Sequence, residues 1–231
     1  MKRILWVLML LCLNAVAQTR APLPNPTPVP IPIDRVQYRC PTVIVYENGL
    51  ADNFALPADP VHPSLALDAF LQATAIPGLP PVAYDENGEC DHHFGDSFKI
   101  DSCNICCGIC SATLEITMRG CGGSIECNDS ITVGVAPFNT AGGVVLWNGY
   151  VNGIGCPGDP GPVPVNPTKP DVNAATTKRP SGPISPTIVK KIELDPRKLE
   201  ELICERHIHY LDVYVQDDQV IDSMRLVITK P

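Results

Sequence analysis

No cluster of basic residues occurs in this chain. Lys and Arg number 17 against 25 Asp and Glu, a formal charge of −8. Phosphate backbones and anionic lipid surfaces are held by Lys and Arg, so neither nucleic acid nor such a membrane surface fits as a partner. Catalytic signatures are also missing: there is no G-x-S-x-G, no H-E-x-x-H and no P-loop. Beyond the first residues there is no second long apolar run, so no transmembrane segment is expected after processing. No C-terminal anchor is expected either, since Thr229-Lys230-Pro231 directly follows an apolar strand.

The first feature present is a leader. Lys2 and Arg3 precede an apolar run over residues 4–13, and Ala15-Val16-Ala17 supplies an A-x-A cleavage site. This pattern predicts a secretory signal peptide over 1–17. A lipoprotein reading of Cys12 fails, because the preceding residue is Leu11 and not a small one. Cleavage removes Lys2 and Arg3, which makes the mature chain more acidic still. It also removes Cys12, which leaves ten of the eleven cysteines. The expected location is extracellular or periplasmic, where thiols oxidise. Cys40, Cys90, Cys103, Cys106, Cys107, Cys110, Cys121, Cys127, Cys156 and Cys204 are therefore read as disulfide formers. Their connectivity stays open, since even eight cysteines allow 105 pairings.

Two segments look unlike packed structure. Residues 21–32 read APLPNPTPVPIP and lie in a Pro-rich spacer over 18–35. Residues 156–187 are dominated by Pro, Gly, Thr and Lys without periodicity, as in an exposed or disordered insertion. Strand signals fall at 42–46, 97–100, 112–119, 131–135 and 144–147, with a short helix over 64–74. After the insertion come a strand over 188–194, a helix over 197–205 capped by Asp195-Pro196, and strands over 211–215 and 221–229. This last piece spans about 44 residues, too few to bury a core alone. It is expected to complete the first sheet, making 36–231 a single domain. The fold class is all-β: a disulfide-stapled, jelly-roll-like β-sandwich with one or two short helices and a long Pro-rich insertion.

Several groupings bear on chemistry. Cys103-x-x-Cys106-Cys107-x-x-Cys110 has metal-ligand spacing, but in an oxidising compartment cross-links that brace a turn are the first reading. Cys204, His207 and His209 mimic part of a zinc set; a solvated histidine pair beside a disulfide is the plainer account. Asp91-His92 is an acid–base pair with no recognisable nucleophile nearby. Two carboxylates brought together by folding leave no sequence trace, so a glycosidase pair stays open. Asp217 and Asp218 suit a hairpin turn, or a structural calcium site at a sandwich edge. Trp147 and Tyr150, at a strand end, suit either core packing or stacking on sugar rings. Asn128-Asp129-Ser130 is a glycosylation sequon.

FGDSFKI (94–100), SATLEITMRGCG (111–122), NDSITVGV (128–135) and LDVYVQDDQVIDSMRLVIT (211–229) occur in that order. This set resembles a loosely defined group of uncharacterised exported bacterial β-sandwich proteins, a resemblance that implies fold and export and no activity. Ile221-Asp222-Ser223-Met224-Arg225-Leu226 is similar to the last-strand phrase of galactose-binding-like jelly rolls and carbohydrate-binding modules. That resemblance nominates Asp222 for a structural calcium, beside the turn oxygens of Asp217 and Asp218 already noted. The cysteine cluster and the insertion depart from those modules. The expectation is a secreted non-catalytic binding or structural module whose partner is a glycan or an envelope or matrix polymer, with no other cofactor. The alternative is a secreted hydrolase with a carboxylate or Asp-His site.

Overall fold

The alternation of Leu114, Ile116 and Met118 with Glu115, Thr117 and Arg119 becomes a strand with one wet face. The computed structural model describes residues 42–74, 81, 83–84, 93–106, 108–120, 129–138, 142–154, 186–216 and 219–231. The expected signal peptide, spacer and insertion (its residues 156–185), Cys40, Cys90, Cys107, Cys121, Cys127, Cys156, Asp91, His92, Asn128, Asp217 and Asp218 lie outside them, as does the side chain of Cys103.

In chain order the elements are β1 (Thr42–Asn48), α1 (Leu65–Thr74), β2 (Phe94–Lys99), α2 (Ser102–Ile105), β3 (Ser111–Gly120), β4 (Ser130–Val135) and β5 (Val144–Tyr150). Then come β6 (Ile188–Leu194), α3 (Pro196–Glu200), a π-helical turn over Glu201–Glu205, β7 (Tyr210–Gln216) and β8 (Gln219–Lys230). The strands form two four-stranded antiparallel sheets, ordered β1-β8-β3-β6 and β2-β7-β4-β5. The segments from residue 188 onward enter both sheets: β6 and β8 flank β3, and β7 lies between β2 and β4.

Local chemistry sets the helix starts. The Ser64 hydroxyl accepts from the Leu67 amide at 3.1 Å and begins α1. Asp195 accepts from the Arg197 and Lys198 amides at 3.0 and 3.3 Å, with Pro196 at the first helical position of α3. The sequence predicts a helix to residue 205. The last five of those residues adopt the wider π turn, which carries Leu202 and Ile203 inward. Cys204 in this turn is bonded to Cys106, which follows α2, across 98 residues of sequence. In a chain-entropy picture a loop of that size gives a cross-link worth roughly 4–5 kcal/mol. Cys110 is also disulfide-bonded.

One hydrophobic cluster joins the facing sides of the two sheets. Leu114, Ile116 and Met118 of β3 and Met224, Leu226 and Ile228 of β8 meet Phe94 and Phe98 of β2, Ile131 and Val133 of β4, and Leu211, Val213 and Val215 of β7. The arrangement is sandwich-like. The second sheet is also covered on its far side. There Leu67, Phe70 and Leu71 of α1 pack with Ala136, Phe138 and Tyr214. The Phe70 ring meets Phe138 and Tyr214 edge-on at 5.4 and 5.3 Å. Gly95 makes room for this helix, since a Cβ there would stand 2.7 Å from the Leu71 side chain. β2 therefore departs from the half-buried alternation its sequence predicts. It is buried throughout except at Lys99, because water reaches neither of its faces.

β3 keeps its alternation because, among the described residues, no helix covers the outer side of its sheet. Ile116→Ala should then cost about 2–5 kcal/mol, the usual loss for a large core residue. Thr117→Ala should change stability by less than about 1 kcal/mol, as most surface changes do. Denaturant unfolding with disulfides intact measures both, and equal losses would mean that β3 is buried on two faces.

Candidate functional site

An aspartate inside a strand of aromatic and β-branched residues is out of place by propensity, and β2 and β7 each carry one. Asp96 points between the sheets, on the same side of β2 as Phe94 and Phe98, and is 0% exposed. Its carboxylate accepts from the Asn48 side-chain amide at 2.9 Å, the Tyr84 hydroxyl at 2.6 Å, the His62 amide at 2.6 Å and the Ser97 amide at 2.8 Å. Burial, and then the charge of Asp96, drive the Tyr84 hydroxyl far above its ordinary range, so it stays protonated and donates. Asp212 lies opposite Ser97 in the β2–β7 ladder. It accepts from the Ser97 hydroxyl at 2.6 Å and the Ala136 amide at 2.8 Å. The Ser97 hydroxyl in turn accepts from the Ser64 amide at 2.7 Å. Both carboxylates are buried away from any substrate, and these hydrogen bonds to them all come from protein donors.

The outer face of the first sheet is different. Glu47, Arg225, Glu115 and Lys191 fall in one register row across β1, β8, β3 and β6, with charges alternating in sign. Lys191 Nζ lies 2.7 Å from Glu115, and Arg225 lies 3.4 Å from Glu47 and 3.6 Å from Glu115. The Lys191 hydrogen bond, ahead of the neighbouring charges, holds the Glu115 carboxyl below its ordinary value. Beside this row opens a groove of about 260 Å³. Its floor is Glu115 and Thr117 of β3 with Ser223, Met224 and Arg225 of β8; its wall is Glu47 of β1 and the turn Gly49-Leu50-Ala51. Gly49 has φ +72°, and a Cβ there would stand 2.7 Å from the Asp222 carbonyl oxygen and 2.8 Å from the Tyr84 ring, so no other residue fits the turn.

Asp222 explains how the segment beyond this turn is fixed. Thr117 pairs with Ser223 and Met118 with Ile221, which leaves Asp222 as the extra residue of a bulge. The bulge aims its carboxylate at the Phe54 amide, 2.7 Å away, and Ser223 Oγ lies 3.3 Å from its second oxygen. Asn53 and Phe54 both have left-handed backbones, φ 66° and 62°, which are uncommon outside glycine. The Arg119 guanidinium stacks over the Phe54 ring at 4.1 Å. Asp222 thus serves as an anchor for a strained loop. Among the described residues no three His, Cys, Asp or Glu side chains gather as a metal set.

Trp147 is half-buried on β5 and packs against the main core; Tyr150 keeps 9% of its surface. Lys190 reaches across from β6, with Nζ 3.0 Å from the carbonyls of both Tyr150 and Val151 and 5.8 Å from the Trp147 ring centroid. Burial lowers the Lys190 ammonium pKa. His207 and His209 are exposed, and Cys204 beside them is tied up in its disulfide. Sequence reasoning singled out neither the Asp96–Asp212 pair nor the Glu47–Arg225–Glu115 row. The signal for the first was the carboxylate within an apolar strand. For the second there was none, because the row exists only once three strands are in register.

Burial chiefly pushes the Asp212 carboxyl above its ordinary value of 3.8, with the charge of Asp96 adding to it and the bonds from Ser97 and Ala136 opposing. The folded chain therefore binds more protons than the unfolded one between 3.8 and the raised value. The stability this group contributes is fully present below 3.8 and is lost as pH rises through the folded value. The unfolding free energy of wild type minus that of Asp212→Asn should fall as pH is raised from about 3 to about 7. A difference flat in pH would show that Asp212 titrates as it does in the unfolded chain.

No family model matches this chain, and neither does any curated protein or solved structure.

Proposed function

We propose that this chain is a secreted, non-catalytic binding module of jelly-roll type that holds a glycan or similar hydroxyl-rich surface polymer in the groove of its open sheet. The single observation that carries the reading is the groove itself. A guanidinium, two carboxylates and two hydroxyls line one recess of a sheet face that no described element covers, beside the exposed Leu50. Ligand sites combine a few placed polar groups with apolar contact in this way. The signal-peptide pattern and the Cys106–Cys204 bond support an exported chain. The strand order supports the jelly roll. Eight strands in two antiparallel sheets, with β1, β3, β6 and β8 in one and β2, β4, β5 and β7 in the other, give the double-sheet pattern of that fold.

Binding is favoured over hydrolysis by the state of the carboxylates. A glycosidase acid needs a raised pKa and access to the scissile oxygen. Asp96 and Asp212 lack access. Glu47 and Glu115 have access but are ion-paired to Arg225, and Glu115 is shifted down. Trp147 and Tyr150 close the sandwich edge in this reading, and Asp222 holds the groove wall.

Glycan-array and polysaccharide pull-down measurements on the purified mature protein test the proposal. Arg225→Ala should weaken binding by about tenfold or more, equal to about 1.4 kcal/mol. Stability should change by less than about 1 kcal/mol, because the ion pairs it breaks are at the surface. Unaltered binding by this variant, or cleavage of the bound polymer, would contradict the reading.

A further inference from the structure

The groove restricts the charge of what it can hold. Glu47 and Glu115 line it with Arg225, and Lys191 pairs with Glu115 at 2.7 Å from the next strand, so the two acidic and two basic groups of the row balance. Both carboxylates already face the guanidinium, which approaches Glu47 through Nε and Glu115 through Nη1. An anionic ligand would have to displace one of these pairs and bring its own charge beside the other carboxylate. That is like-charge repulsion, and Arg225 and Lys191 are both already engaged by these carboxylates, so a cationic ligand would have to compete with them in turn.

The hydrogen-bonding inventory points the same way. Carboxylates only accept, and each oxygen has more than one lone pair. Thr117 and Ser223 hydroxyls both accept and donate, and a guanidinium has five N–H groups, more than its two carboxylate contacts use. The groove therefore offers excess acceptors with a donor fork between them. A vicinal diol matches this pattern. One hydroxyl donates to a carboxylate while its neighbour accepts from the guanidinium. Leu50, 62% exposed on the wall, can cover the C–H face of a ring. At about 260 Å³ the space is slightly below the range of about 300–1,000 Å³ that encloses drug-sized ligands, which suits a single ring more than an extended oligomer.

We infer that the groove selects an uncharged pyranose unit, gripped through a vicinal diol by Arg225 and its flanking carboxylates, and rejects uronate and sulfated sugars. This inference rests on the reading that the groove is the binding site. The test is calorimetric titration of the full mature chain and of Arg225→Lys and Glu47→Gln with four probes: a neutral oligosaccharide series, an oligouronate, a sulfated oligosaccharide and a glucosamine oligomer. Free neutral monosaccharide is run beside the oligomers to separate recognition of one ring from recognition of a chain. Wild type should bind neutral sugars, with affinity changing less than about twofold on adding salt, since no net charge is being paired. Arg225→Lys keeps the charge but loses the fork, and should weaken neutral binding by about tenfold with an unchanged melting temperature. Preference for the uronate, the sulfated sugar or the glucosamine oligomer, lost in Arg225→Lys, would overturn the charge selection while leaving the groove as the site. Neutral binding that survives both substitutions, or no binding of any probe by folded wild type, would overturn the groove reading itself.

Discussion

Asp96 sits between the two sheets with four donors directed at its carboxylate, and Ser97 beside it passes a second set of bonds to Asp212. Burying an isolated carboxylate costs several kcal/mol, so a sequence that places two of them in apolar strands must surround them with donors. Those donors come from widely separated places. Asn48 ends β1 in the opposite sheet, His62 and Tyr84 belong to the segments around α1, Ser64 is the cap of α1, and Ala136 follows β4. A hydrogen bond to a charged group contributes about 1.5–3 kcal/mol. The pair therefore fixes where one sheet edge, one helix start and one turn meet, which an apolar core alone would not specify.

This fastening gives the two sheets unlike outer faces. Seating Ser64 on Ser97 directs α1 across β2 and β7, where Gly95 leaves it space and Tyr214 and Phe138 receive it. One outer face becomes a second core. No described helix covers the other, which carries the alternating row from Glu47 to Lys191. The segment between β1 and α1 is held at both ends, by Asp222 on the Phe54 amide and by Asp96 on the His62 amide. The turn at its start supplies the groove wall. Thus the same acidic residues that organise the fold also shape its surface recess, although they do not line it.

Much of the fold could be read from periodicity. The alternation over 112–119 located β3 and named its buried set, and Ser64 and Asp195-Pro196 marked two helix starts that the structure retains. The 97–100 segment was misleading in its burial because alternation describes side chains, not what covers them, and α1 covers the polar side of β2. α2 is four residues long, too short to leave a periodic signal. The site was much less legible. Glu47, Glu115 and Arg225 are spread over 179 positions of sequence and are neighbours only through antiparallel register. Asp222 was noticed for its phrase. Its part in the loop depends on a bulge at Thr117/Met118 that no residue preference announces.

Native-state hydrogen exchange at the His62 amide tests the central claim most directly. His62 is outside any helix or strand and its side chain is exposed, so an ordinary loop amide there would exchange quickly. Its bond to Asp96 predicts exchange only through global unfolding, with a protection free energy equal to that of Ile116 in the core. Exchange of His62 through small local openings, while Ile116 stays protected, would contradict the account, because Asp96 would then not be fastening that segment to the sheets.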